Sequence, residues 1–293
     1  MLGSPDVEAV LAWSAGRRDD LPWRQTRDPW GVLVSELMLQ QTQVSRVIPR
    51  WHQFLARFPS AAACAKAPLG DVVTEWAGLG YNRRAVNLHR AAVAVVEHHG
   101  GVVPSELTEL LTLPGIGPYT ARAVLAFAYE RDVAVVDTNV GRILARQRGE
   151  RLSVKDAQKF ADDIVPIGMG WSWNQGLLDV GALLCTKRSP RCGECPTSSS
   201  CRWFQTGAVA PDPAIGSAAV SKGQSKFEGS FREGRARLLD VLRTGVEVSP
   251  EHFRAACGWM DRDEGEADAK RAAESLVRDG LAIKRRDGAL SLP

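Results

Sequence analysis

The sequence predicts an all-α protein, and three observations carry that prediction. Apolar residues recur at helical spacing in one segment after another, with no convincing period-2 run before residue 200. Short breakers separate those segments, among them Pro59, Pro68, Gly78-Leu79-Gly80 and Gly100-Gly101. No apolar run approaches the roughly 20 residues that a membrane span needs, and 44% hydrophobic with 24% charged residues is ordinary for a globular chain.

Taken in order, residues 6–18 show the first helical period, and Leu21-Pro22-Trp23-Arg24 is a loop. Asp28-Pro29-Trp30 supplies an N-cap and a proline at the first helical position, predicting a helix through about Gln43. Further helices are expected over 45–58, 68–77, 82–99, 105–112 and 118–130, then 138–148, 153–165 and 172–184. Residues 207–226, rich in Ala, Gly, Pro and Ser, read as a linker. Beyond it, helical stretches near 233–243, 249–257 and 266–279 precede two short strand-like pieces around Asp287-Gly288. An Asp-Gly turn there predicts a hairpin, and three helices with a hairpin suggest a small winged-helix-like module. A length of 293 residues leaves room for about two domains.

Net charge is only +3, so any basic surface that meets nucleic acid has to be local. Met1–Asp6 lacks the basic-then-apolar layout of a signal peptide, and an intracellular, cytoplasmic setting without membrane attachment is expected.

Four stretches carry chemistry. Leu113-Pro114-Gly115-Ile116-Gly117-Pro118-Tyr119 reads as helix, tight Gly-x-Gly hairpin, helix. Glycine tolerates positive φ and close backbone approach, and proline at the first helical position sacrifices no hydrogen bond. The second helix's N-terminus suits an anion, for which a nucleic-acid phosphate is the leading candidate; a plain helix–helix turn is the alternative. Glu36 has Val32, Leu33, Leu39 and Gln40 at helical spacing, so its carboxyl shares a largely apolar face. Burial there raises a carboxyl's pKa and suits a general acid, the alternative being a side chain turned to solvent at the stripe's edge. Asp137 precedes the helix beginning at Thr138 and should cap it, with backbone donors and the helix dipole keeping it ionised. A protonated and an ionised carboxyl with opposed roles is the pattern of glycoside-bond chemistry.

Cys185, Cys192, Cys195 and Cys201 form C-x6-C-x2-C-x5-C. That compact run suits a 4Fe–4S cluster better than zinc, which favours two close pairs separated by a longer loop. Lys187, Arg188, Arg191 and Arg202 make the same loop basic.

These residues together resemble the helix-hairpin-helix DNA glycosylase superfamily, its iron–sulfur branch, and most closely adenine DNA glycosylases of the MutY type. The resemblance covers roughly residues 6–205. It is carried by Leu21–Arg24, Ser35-Glu36-Leu37-Met38-Leu39-Gln40-Gln41-Thr42-Gln43, Trp76-Ala77-Gly78-Leu79-Gly80-Tyr81, Leu113–Gly117, Val136-Asp137-Thr138-Asn139-Val140 and the four cysteines.

The resemblance implies a two-lobed core, with residues 1–29 and 132–207 as the cluster lobe and 30–131 as a six-helix lobe. A linker, 208–226, and a C-terminal module, 227–293, follow. It further implies a monomeric enzyme that removes adenine opposite 8-oxoguanine or guanine from double-stranded DNA by base flipping. Glu36 matches the acid that protonates adenine, Asp137 the carboxylate that stabilises the sugar cation, and Asn139 its support. Arg24 and Tyr119 match pocket residues, Leu39, Gln41 and Tyr81 match groups that enter the base stack, and Gly115 and Gly117 match the phosphate-binding hairpin. Lyase relatives carry lysine where this chain has Tyr119, which implies little or no strand cleavage. The C-terminal module departs from the family's MutT-like domain, being shorter and mostly helical.

Overall fold

The computed structural model describes residues 5–217 and 226–293, so residues 218–225 of the expected linker lie outside the described residues. In chain order the helices are α1 (Val7–Ser14), α2 (Pro29–Leu39), α3 (Val44–Arg57), α4 (Ala61–Lys66), α5 (Leu69–Glu75), α6 (Arg83–His99), α7 (Leu107–Leu110) and α8 (Pro118–Phe127). There follow α9 (Thr138–Arg148), α10 (Val154–Ile164), α11 (Gly170–Leu183), α12 (Arg202–Gln205), α13 (Phe231–Arg243), α14 (Phe253–Cys257) and α15 (Gly265–Arg278). The described strands are β1 (Ile283–Lys284) and β2 (Leu290–Ser291), antiparallel, with Val248 bridged to Leu290. Among the described residues, no helix is long and apolar enough to cross a membrane.

The all-α expectation holds, with local differences that have physical causes. Helix α4 was not expected; it is six residues long, mostly alanine, and too short to show a period, but Ser60 caps it by accepting from the Ala63 N–H at 3.2 Å. Helix α2 stops at Leu39 instead of Gln43, and α7 is a single turn.

The chain divides into two compact units. The first comprises residues 1–32, 105–111 and 116–223. Its core gathers Val10 of α1, Val140, Ile143 and Leu144 of α9, and Trp173, Leu177 and Val180 of α11. The second comprises residues 33–104, 112–115 and 224–293, so the C-terminal module belongs with α3–α6. Phe54 packs edge-on against Trp76 here, with ring centroids 6.0 Å apart. In the C-terminal module α13, α14 and α15 pack together over Leu238, Leu242, Phe253 and Leu276. Gly234 lets the Trp259 ring lie directly on α13, where any Cβ would collide with it. Gly288, at φ 89, closes the β1–β2 hairpin, so the module holds the expected helices and hairpin.

Candidate active site and cysteine cluster

Helix α2 turns Glu36 inward: it is 6% exposed, and Leu33, Val34, Leu37 and Met38 around it are buried. The apolar flanks read from the sequence are those of a buried carboxyl. Leu39, the last residue of α2, is half-buried, and Gln41 is exposed in the following turn with φ 55.

That turn exists because a guanidinium intercepts the end of α2. Arg84 of α6 is buried, and its Nη1 donates to the carbonyls of Leu37 (2.7 Å), Met38 (2.9 Å) and Gln40 (2.6 Å). Its Nη2 donates to Thr42 Oγ1 (3.0 Å) and to the carbonyls of Leu79 (3.1 Å) and Gly80 (2.9 Å), and its Nε to that of Tyr81 (3.3 Å). A guanidinium has only five N–H donors, so some serve two acceptors. One side chain thus ties the C-terminal turn of α2 to the Gly78–Tyr81 turn. Burial drags the Arg84 pKa down to about 10, which leaves it charged near neutral pH. Tyr81 itself has φ 46 and is 43% exposed. A bulky residue persists in that left-handed region only where its surroundings over-determine it. The sequence reading did not single out Arg84. Its signal was register, because Arg84 falls on the same helical stripe as Leu88, Ala91 and Val95, all buried.

In the hairpin, Gly115 has φ 77, and a Cβ there would fall 2.5 Å from that of Asn87. Both conformation and space require glycine. Gly117 differs: its backbone is extended at φ −96, and a Cβ would meet nothing within 4 Å, so the expected need for positive φ applies to Gly115 alone. Gly117 precedes Pro118 at the start of α8, a helix with no side-chain cap, and Tyr119 stands half-buried in its first turn.

Asp137 caps α9 as expected. Its Oδ1 accepts from the N–H groups of Asn139 and Val140, each at 2.8 Å, and its Oδ2 accepts from Asn139 Nδ2 at 2.8 Å. Asn139 Oδ1 accepts in turn from Arg142 Nη2 at 2.9 Å. Arg142 also donates to the Gly181 carbonyl at 2.7 Å and, through Nε, to the Cys185 carbonyl. A continuous chain of hydrogen bonds therefore runs from the Asp137 carboxylate to the backbone of the first clustered cysteine. Gly181 is what allows α11 to approach so closely, since a Cβ would fall 2.6 Å from that of Asn139.

The cap is not the only influence on the Asp137 carboxyl. Burial is the largest influence on Asp137 and pushes its carboxyl above the ordinary range, opposed by Val140, Asn139 and Arg142. By its own surface Asp137 is half-buried, so it is crowded by protein on most sides yet open to solvent on one.

Arg24 is 8% exposed, and its fork lies on Asp179, Nη1 to Oδ2 and Nη2 to Oδ1 at 2.9 Å each, with Nη1 also donating to the Arg17 carbonyl. The structure thus commits both terminal nitrogens of Arg24 to protein partners, including an aspartate that the sequence reading passed over.

Cys185, Cys192, Cys195 and Cys201 all line one cavity, with Ile143, Leu184 and Trp203 supplying apolar walls. Arg146 is its charged neighbour: Nη1 lies 3.3 Å from Cys185 Sγ, while Nη2 donates to Asp212 at 2.6 Å. Burial pushes the Cys201 thiol up to about 11 and raises Cys185 and Cys192 as well. Among the described residues, no three His, Cys, Asp or Glu side chains converge closely enough to hold one metal ion. Four thiols around an apolar cavity, beside a buried guanidinium, fit a group larger than a single ion that becomes net negative once bound through thiolates. Lys187 and Arg188 are exposed on the same loop, and Arg191 pairs with Glu194 at 3.2 Å.

Comparison with known proteins places the chain in a family. Residues 34–166 match the HhH-GPD superfamily of base excision DNA repair proteins. An adenine DNA glycosylase of Mycolicibacterium smegmatis is 41% identical over 97% of this chain and 94% of its own length. The human adenine DNA glycosylase is 34% identical over 74% of this chain and 44% of its own length. The first of these spans takes in the C-terminal module, which sets the chain beside relatives that share it. Among solved structures, a thermostable thymine-DNA glycosylase aligns with a TM-score of 0.64 at 30% identity, covering 68% of this chain and 95% of that one. Endonuclease III complexed with DNA aligns at 0.61 and 22% identity over 69% of this chain and 94% of that one, a likeness of fold. The chain belongs to the adenine DNA glycosylase family of the HhH-GPD superfamily.

Proposed function

We propose that this protein is a monofunctional adenine DNA glycosylase that excises adenine paired with 8-oxoguanine or guanine in double-stranded DNA. The observation that carries the reading is Glu36, a carboxyl 6% exposed among apolar side chains of α2 in a chain of this family. Breaking an adenine N-glycosidic bond is hard because the base is a poor leaving group as an anion, and protonating a ring nitrogen, N7 by the resemblance, removes that difficulty. In this reading the adenosine is extruded from the stack, because its glycosidic carbon is out of reach within the duplex. Glu36 delivers its proton as the C1′–N9 bond breaks and the bond's electron pair leaves with adenine. The Asp137 carboxylate, held by Asn139 and Val140, stabilises the cation left on the sugar. A water molecule then adds to C1′ and gives its proton to Glu36, restoring the acid and leaving an abasic site.

Tyr119 supports the monofunctional reading, since a phenol cannot form the Schiff base through which a lysine cleaves the strand. The four cysteines would hold a 4Fe–4S cluster, which when bound braces the loop bearing Lys187 and Arg188 for phosphate contact. Gln41 and Tyr81, exposed on adjoining turns, are the groups set to enter the base stack. The protein acts as a monomer.

The test is a single-turnover assay on duplexes carrying adenine opposite 8-oxoguanine, guanine or cytosine, with borohydride added in parallel. Adenine release opposite the first two, without trapped enzyme–DNA adduct, is the expected result. Release of thymine instead, as the 33% identical thymine/uracil-DNA glycosylase of Methanothermobacter thermautotrophicus would suggest, overturns the adenine assignment.

A further inference from the structure

The C-terminal module has no MutT-like fold, yet it belongs to the same compact unit as α3–α6 and reaches the Tyr81 turn. The contact is made by Arg243, the last residue of α13, whose side chain is 8% exposed. Its Nε donates to the Val73 carbonyl at 3.1 Å, its Nη2 to Asn82 Oδ1 at 2.8 Å, and its Nη1 to Asp240 at 2.6 Å. Asn82 follows Tyr81 and stands at the N-cap of α6, but its side chain does not cap that helix. Its carboxamide oxygen serves the C-terminal module instead. The module is fastened at a second point, where the Gly70 N–H donates to the Pro293 carbonyl at 3.0 Å and a Cβ on Gly70 would fall 2.7 Å from that oxygen. One cavity is lined by Gln41, Tyr81 and Asn82 together with Arg235 and Asp279 of the module.

The Tyr81 turn is therefore gripped twice. Arg84 holds its carbonyls from within the α2–α6 region, and Arg243 holds Asn82 from the C-terminal module. A tyrosine at φ 46 needs such determination to keep one geometry. We propose that Arg243 is a positioning residue through which the C-terminal module sets the Tyr81 turn, and with it the preference for the base opposite adenine. The inference rests on the glycosylase reading above.

The test compares full-length, cluster-loaded wild type with Arg243→Gln, Asn82→Leu, Asn82→Asp and the double variant Arg243→Gln/Asn82→Leu. Two readouts are taken: the ratio of single-turnover adenine release opposite 8-oxoguanine to that opposite guanine, and amide exchange over residues 81–85. Arg243→Gln and Asn82→Leu should each lower the ratio about tenfold, the scale of one lost charged hydrogen bond. Both should speed exchange over that stretch. Asn82→Asp keeps an acceptor for Arg243 and should retain both properties. The double variant should be no worse than either single one, because the two residues act through one contact. If Arg243→Gln does not fold, Asn82→Leu carries the same prediction. Folded variants with wild-type ratio and wild-type exchange overturn the proposal. Wild type that releases no adenine opposite either base refutes the glycosylase reading instead, and exchange over residues 81–85 still decides whether Arg243 sets the turn.

Discussion

Replacing Arg84 by Met removes the guanidinium that joins two turns while keeping a long apolar side chain in its place. Seven acceptors lose the Arg84 donor: the carbonyls of Leu37, Met38, Gln40, Leu79, Gly80 and Tyr81, and the Thr42 hydroxyl. Three keep another: the Gln40 and Leu79 carbonyls still accept from the Thr42 hydroxyl at 3.3 and 3.2 Å, and the Tyr81 carbonyl from the backbone N–H of residue 84 at 3.0 Å. The bonds to Leu37, Met38 and Leu79 are buried, so water does not readily replace them, whereas the remaining four are partly accessible. Each stripped buried carbonyl costs about 1–3 kcal/mol, and relief of the buried charge's own desolvation offsets part of the sum. With the Leu37 and Met38 carbonyls stripped and that of Leu79 still bonded to Thr42, a loss of about 2–4 kcal/mol follows, a large share of a typical domain's 5–15 kcal/mol. Denaturant unfolding measures the loss, and amide exchange over residues 40–43 and 79–82 locates it. Arg84→Lys should recover only part, because one ammonium cannot span both turns. A loss under about 1 kcal/mol for Arg84→Met, with exchange in both turns unchanged, would refute the argument that this side chain determines the positive φ of Gln41 and Tyr81.

Three further outcomes are expected. Asp137→Asn should abolish adenine release yet leave the fold intact, since asparagine caps a helix as well as aspartate does. Burial holds the Asp137 carboxyl above its ordinary range, so its charge opposes folding once the pH exceeds the unfolded-state pKa, and the favourable contribution of the neutral form is lost as pH rises through the folded one. The variant's thermal midpoint relative to wild type should therefore rise between pH 4 and pH 8; a fall would show that the capping hydrogen bonds outweigh burial. Arg142→Gln breaks the hydrogen-bonded chain from Asp137 to Cys185 and should both slow adenine release and, for the proposed iron–sulfur cluster, hasten loss of its visible absorbance, read by sampling over time in air. Gly115→Ala meets both a positive φ and Asn87, and should destabilise by about 1–3 kcal/mol; Gly117→Ala, in open extended backbone, should cost less than about 1 kcal/mol while weakening duplex binding.

Much of this protein was legible in the sequence because the signals are local. Helical period, Pro29 and Pro118 at first helical positions, Asp137 as a cap and the four close cysteines each depend on residues within a few positions of one another. The shortfalls have equally physical reasons. Helix α4 is too short for a period, and α2 ends early because Arg84, more than forty positions away, takes its carbonyls. The cap on Asp137 follows from its neighbours in sequence, but the burial that raises its carboxyl's pKa depends on tertiary packing.

The sequence by itself determined the all-α class and the glycosylase-like motifs, since each follows from spacing along one helix or one turn, while the spacing around Glu36 allowed either a buried or a solvent-turned carboxyl. Only the tertiary structure decided what the buried arginines do. A guanidinium carries five donors on a long stem, and its partners are whichever carbonyls the fold brings within reach. Arg84, Arg142, Arg146 and Arg243 look alike in the sequence as charges on helices. In the folded chain one joins the two turns bearing Gln41 and Tyr81, one links Asp137's support to Cys185, one faces the cysteine cavity, and one fastens the C-terminal module to Asn82.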